Sequence, residues 1–186
     1  MKVTNQTFNR RVRAALMFAT CAGLSAACLA ASFTWDGGGG DNNWQSAANW
    51  NPDGTPPADG SAALVFQGSV RTAPSNNYPQ DTAFNGLSFP NAAAPAFTLS
   101  GNRIILAGGV NTTQISADGI TVTDVIGLPI LLGANATFSL GARHTLTVNG
   151  VIGETGGARA LTKANSSGEL THNGANTFSG AVTLNG

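Results

Sequence analysis

Three groups of residues in this 186-residue chain have types and spacing that can do chemistry. The first is "DGGGGDNN", Asp36 to Asn43. It is similar in look to a Gly-Gly-x-Gly-x-Asp calcium repeat, in which carboxylate and carbonyl oxygens surround a hard cation. Asn42 stands where that pattern needs its Asp, and the motif occurs once instead of in tandem. The segment therefore reads as a structural turn, with calcium as the alternative. The second group is Trp35, Trp44 and Trp50. Exposed indoles stack on sugar rings, whereas buried ones cover a core; the reading here is cover. The third group is His144 and His172, the only histidines. Catalysis would need a nucleophile or carboxylate beside either one in space, and no motif supplies it. Both read as satisfied surface or groove residues. Asp81, Asp118, Asp124, Glu154 and Glu169 are scattered and form no close pair in sequence, although stacked turns can align distant ones. No zinc spacing, phosphate loop or G-x-S-x-G elbow occurs. No catalytic, cofactor-binding or metal-binding residue is assigned, no cofactor is expected, and the chain is expected not to be an enzyme.

The elements that must position these residues follow a leader. Lys2, Arg10, Arg11 and Arg13 make a basic head, and "AALMFATCAGLSAACLAA" then runs from Ala14 to Ala31 without a charge. Small residues close it, so residues 1–31 read as a secretory signal peptide, cleaved near Ala30, Ala31 or Ser32. A membrane anchor is the alternative, but a run of about 18 residues lies at the lower limit for spanning a bilayer, and this one is rich in Ala, Ser and Gly. Arg10-Arg11 raises a twin-arginine route. "LSAAC" is faintly like a lipoprotein signal, with Leu24 one position too far from the Cys.

Removing the leader takes four of the nine basic residues and none of the nine acidic ones, so the remainder has five against nine, a net charge of −4. A nucleic-acid binder needs a basic patch, and none is present, so nucleic acid is not an expected partner. Cys21 and Cys28 leave with the leader. The exported chain then has no disulfide, and its stability must come from strand pairing and stacked apolar side chains.

After the leader, helix signals are nearly absent. Period-two alternation appears in "FTLS", "ITVTDVI", "TFSL" and "HTLTVNGVI", the mark of strands with one buried face. In "HTLTV", Leu146 and Val148 are expected to point inward, with His144, Thr145 and Thr147 at polar positions around them. Gly86, Gly101, Gly109, Gly119, Gly127, Gly133, Gly141, Gly150 and Gly157 punctuate the strands as corners. Two architectures fit: a sandwich such as a lectin-like jelly roll, or a β-solenoid in which each turn stacks on the last. Asn-Gly pairs at Asn85-Gly86 and Asn149-Gly150 suit solenoid corners with side-chain ladders, and equally suit hairpin turns.

The tail separates the two. "ALTKANSSGELTHNGANTFSGAVTLNG", residues 160–186, resembles the autotransporter-associated β-strand repeat, also called the passenger-associated transport repeat. Leu161-Thr162-Lys163 matches its opening, Gly174 to Gly180 its G-A-N-T-Y-S-G core with Phe178 in the aromatic position, and Val182 and Leu184 its closing strand. His172 replaces an apolar residue. The opening, Trp35 to Gly39 and then Trp44 to Trp50 before "NPDGTPPADG", is similar to the start of large secreted proteins that carry these repeats. The resemblance implies an all-β, right-handed parallel β-helix passenger, exported and displayed at the bacterial cell surface, outer membrane or outside the cell; no enzyme activity follows from the repeat itself. The expected division is a signal peptide at 1–31, a Trp/Gly-rich cap and loop at 32–60, and a β-helix at 61–186 whose last repeat is 160–186.

On that reading the three Trp residues plug the first turn of the helix, while Gly37 to Gly40 let the chain fold back over it. The expected work is structural or adhesive, with a carbohydrate-binding or polysaccharide-degrading β-helix as the alternative. Expected partners are surface glycans or other envelope proteins. A membrane enters only through a C-terminal anchor or barrel that this sequence lacks; ending at "VTLNG", the chain is expected to be part of a longer protein.

Overall fold

A computed structural model describes residues 30–90, 95–112, 120–164 and 167–185. The leader up to residue 29, and Asp118, lie outside the described residues. The strands are β1 (Ala31–Trp35), β2 (Trp50–Asn51), β3 (Ala62–Phe66), β4 (Ser75–Asn76), β5 (Thr82–Phe84), β6 (Gly86–Ser88), β7 (Thr98–Gly101), β8 (Ile104–Leu106), β9 (Val110–Thr112), β10 (Val122–Ile126), β11 (Ile130–Leu132), β12 (Ala136–Leu140), β13 (His144–Val148), β14 (Ile152–Glu154), β15 (Leu161–Lys163), β16 (Glu169–His172) and β17 (Val182–Leu184). Among the described residues the only helical segment is a 3-10 turn at Ala47–Asn49.

From β3 to β16 every third strand pairs. One sheet runs β17-β15-β12-β9-β6-β3-β1-β2, a second β16-β13-β10-β7-β4, and a third β14-β11-β8-β5. The chain thus visits three sides in turn and stacks four complete coils, β3-β4-β5 to β12-β13-β14. This is a β-solenoid, as expected from the corners and the tail. The sandwich is excluded because successive coils pair in parallel. Asn85-Gly86 and Asn149-Gly150 are corners between sheets, not hairpin turns.

Alternation sets which side chains enter the core. Leu64, Leu87, Val110 and Phe138 align rung upon rung in the first sheet, Leu99, Ile126 and Val148 in the second, and Phe84, Leu106 and Leu132 in the third. All of these are buried. Each such aliphatic side chain contributes about 1.5–3 kcal/mol on burial. Amide side chains form ladders at the corners: Asn76 Nδ2 donates to the Asn102 carbonyl at 2.7 Å, and Asn173 Nδ2 to Asn149 Oδ1 at 2.9 Å, 26 and 24 residues away respectively.

Before the first complete coil lies a partial one. β1 pairs in parallel with β3 through all five of its residues, and Asn43 and Asp59 bridge to Ser75 and Ala83 on the other two sides. β2 lies antiparallel on the outer edge of β1, covering backbone groups that would otherwise invite a foreign strand.

Candidate functional site

Three places concentrate chemically capable residues. The first is the partial coil. Trp35, Trp44 and Trp50 are all 0 % exposed. Trp35 meets Trp50 edge-on at 5.2 Å between ring centroids, and Trp44 packs on Phe66 and Phe84 at 5.5 and 5.7 Å. Such pairs add about 0.5–1.5 kcal/mol each beyond area burial. Trp50 Nε1 donates to the Trp44 carbonyl at 2.7 Å, and Trp35 Nε1 to the Arg71 carbonyl at 3.1 Å. The expected aromatic lid is present, and its buried indoles offer no face to a sugar.

The Asp36–Asn43 segment wraps this lid as a turn. Asp41 Oδ1 accepts the Asn43 amide at 2.9 Å and the Ser46 hydroxyl at 2.7 Å, and the Asn49 side chain donates to the Asp41 carbonyl at 3.0 Å. The Asn43 backbone N–H, then the Ser46 hydroxyl, hold the Asp41 carboxyl below its ordinary pKa. The carboxylate is thus already engaged by the turn's own donors. Among the described residues no three His, Cys, Asp or Glu side chains come together as a metal site.

The second place corrects the reading of His144. It does not stand at a polar position; it is 1 % exposed and points inward with Leu146 and Val148. The reason is parity: residues 144, 146 and 148 share one face of a strand. Asp124 enters the core by the same rule, in phase with Val122 and Ile126. Its Oδ2 lies 2.6 Å from His144 Nε2, and its Oδ1 accepts the Phe97 amide at 2.6 Å. Stacking therefore joins a carboxylate and an imidazole 20 residues apart. His144 Nδ1 has no partner. Strict alternation in "VTDVI" and "HTLTV" carries the signal, since it puts Asp124 and His144 in phase with their apolar neighbours. Among the described residues no nucleophilic side chain hydrogen-bonds to the pair.

The third place is the last coil. An open groove of about 310 Å³ is lined by Leu161, Lys163, Leu170, His172, Phe178 and Leu184, among others. Leu184 is 72 % exposed and Val182 56 %. His172 is half-buried, not a simple surface residue; its ring stacks near Phe138 at 6.3 Å, and burial pushes its pKa down. Asn176 Oδ1 accepts the Ile152 amide at 2.8 Å, and Thr177 N–H reaches the Ile152 carbonyl at 2.9 Å. A methyl on Gly174 would collide with the Gly150 carbonyl, and one on Gly180 with the Arg159 carbonyl. The G-A-N-T-F-S-G segment is thus shaped to lie on the coil beneath it.

The remaining carboxylates are dispersed. Asp81 pairs with Arg103 at 2.6 Å on the surface, Glu154 bonds Ser179, and Glu169 is exposed. No two described carboxylates form a catalytic pair by any contact of the structure. No helix among the described residues is long and apolar enough to cross a membrane.

Stacked parallel coils under an aromatic lid define the class: a parallel β-helix with one sealed end. Within that class, the sequence is similar to the adhesin BmaC autotransporter of Brucella suis biovar 1 (strain 1330), 31 % identical over 152 residues. The alignment covers 77 % of this chain and 4 % of that protein, so the chain spans a small fraction of its relative's length. No family model matches the sequence, and no solved structure matches it.

Proposed function

We propose that this chain is a passenger-type adhesive or structural module of the bacterial surface, exported through its leader and working without catalysis. The observation that carries the reading is the similarity of 77 % of the chain to an autotransporter adhesin, joined to a solenoid fold. The mechanism is passive. Stacked strands satisfy one another's hydrogen bonds, and the lateral surface presents side chains such as Ser88, Thr137 and Ser139 around a shallow groove of about 290 Å³. That groove holds hydroxyl and small apolar groups, suited to many weak contacts over a long face.

The test is display. The chain, fused to a surface anchor on a non-adherent bacterium, should raise attachment to glycan-coated or protein-coated surfaces, and the purified chain should leave polysaccharides uncut. Mass spectrometry of the exported product should find its first residue near Ala31. Unchanged attachment on every surface, or release of oligosaccharides, would sink the proposal.

A further inference from the structure

In the third sheet the inward register runs Phe84, Leu106, Leu132 and then Glu154. Three coils place an apolar side chain at this rung, and the fourth places a carboxylate. Beyond β14 that sheet gains no further strand. Residues 174–180 cover it instead, held by few bonds. Besides the two at Ile152, Glu154 Oε1 accepts both the backbone N–H and the hydroxyl of Ser179, at 2.9 and 2.6 Å. Glu154 Oε2 accepts the Arg159 amide at 2.6 Å. One side chain therefore ties the turn after β14 to the segment that closes the last coil, where a backbone ladder serves elsewhere.

We propose that Glu154 is an acid-releasable latch: ionised, it seats residues 174–180 and with them β17 on the last coil; protonated, it lets them go. An ionised carboxylate only accepts hydrogen bonds, and all three groups aimed at it are donors. Protonation on Oε2 sets a donor against the Arg159 amide, and on Oε1 against the Ser179 amide, with only the Ser179 hydroxyl able to turn and accept. The Ser179 hydroxyl, opposed by burial and aided by the Arg159 and Ser179 amides and the Arg159 charge, holds the Glu154 carboxyl below its ordinary range. A depressed folded value means that the latch contributes fully above the unfolded Glu pKa of about 4.3 and is lost as pH falls through the folded one.

The groups around it separate cleanly. Leu132 beneath it is apolar, segment 174–180 contains no ionisable residue, and Arg159 supplies the nearby charge. The last coil adds Lys163 on β15, and Glu169 and His172 on β16. Burial lowers the His172 pKa, so its protonation also weakens this coil as pH falls from about 6.5, and a His172→Leu variant separates that effect from the one at Glu154.

Hydrogen exchange on the full chain, expressed as protection factors from pH 6.5 to 3, tests this. Amides of 174–185 should lose protection severalfold below pH 5, while those of β8 to β13 hold. Glu154→Gln should show the low protection already at pH 6.5 with no further step, and His172→Leu should keep the step. Should Glu154→Gln unfold throughout, Ser179→Ala decides, because losing the hydroxyl should move the step to higher pH. Wild-type protection that stays flat below pH 5, or a step that neither Glu154→Gln nor Ser179→Ala alters, overturns the latch.

Discussion

The Asp124–His144 pair places two titratable side chains inside the core. Both groups are buried, and a water-free carboxylate is tolerated only when its partners are in place. Asp124 spends its two oxygens on the Phe97 amide and on the imidazole. Asp124→Ala should therefore leave the Phe97 amide and the imidazole without their partner and destabilise the fold by about 3–5 kcal/mol, as breaking a buried pair does. Replacing both residues by Leu should recover most of that loss, since apolar substitutes for a buried pair are often neutral or better. Urea denaturation of Asp124→Leu, His144→Leu and the double variant measures the coupling; additive losses would show that the pair is not a unit. The same pair marks how far the sequence could be read. Parity along β10 and β13 was visible, but which turn lies on which was not, because strand register is a property of the stack. Twenty residues of separation carry no sign of a 2.6 Å contact.

The partial first coil was more legible, because its composition is local. Three Trp and four Gly in one short segment announce a lid and its corners, and the indoles do close the stack. The sequence does not show β2, a two-residue strand running against the parallel grain of the fold, because two residues carry no periodicity. The glycines also divide in a way that composition hides. Gly37 has φ +68 and its added methyl would collide with the Val70 carbonyl, whereas Gly40 has nothing within 4 Å. Gly37→Ala should cost about 1–3 kcal/mol through strain alone, and Gly40→Ala should lie within about 0.5 kcal/mol of wild type; thermal melts of the pair check it, and equal costs would refute the lid geometry. Truncating Trp35, Trp44 and Trp50 together to Ala removes about 3–5 kcal/mol at each position, comparable with or above the whole stability of a domain. That variant should aggregate and lose protease resistance, as followed by light scattering and digestion.

A solenoid is quasi-one-dimensional, so its stability is read along an axis and not from a centre. The first and last described coils of this stack differ. One is sealed by three indoles, a five-residue parallel pairing and an antiparallel edge strand. The other carries a three-residue strand, β17, with Val182 and Leu184 exposed, over a segment tied down largely by side chains. Local opening should follow that asymmetry, because segments with few buried contacts open at the lowest free energy. Trypsin gives the readout, since the described residues carry five cleavable side chains: Arg71, Arg103, Arg143, Arg159 and Lys163. Arg71 is bound to the Gly39 carbonyl at 2.7 Å and Arg103 to Asp81 at 2.6 Å, both on coils with neighbours above and below. At neutral pH the first cuts should fall at Arg159 or Lys163, leaving a resistant product that retains β1 to β14 and the buried pair. Acid should speed cleavage within residues 174–185 by a pepsin-type protease, which cuts at apolar residues such as Phe178 and Leu184, if the Glu154 latch holds. Early cleavage at Arg71 or Arg103 would mean that the lidded end frays first, and that the indoles pack without anchoring the stack.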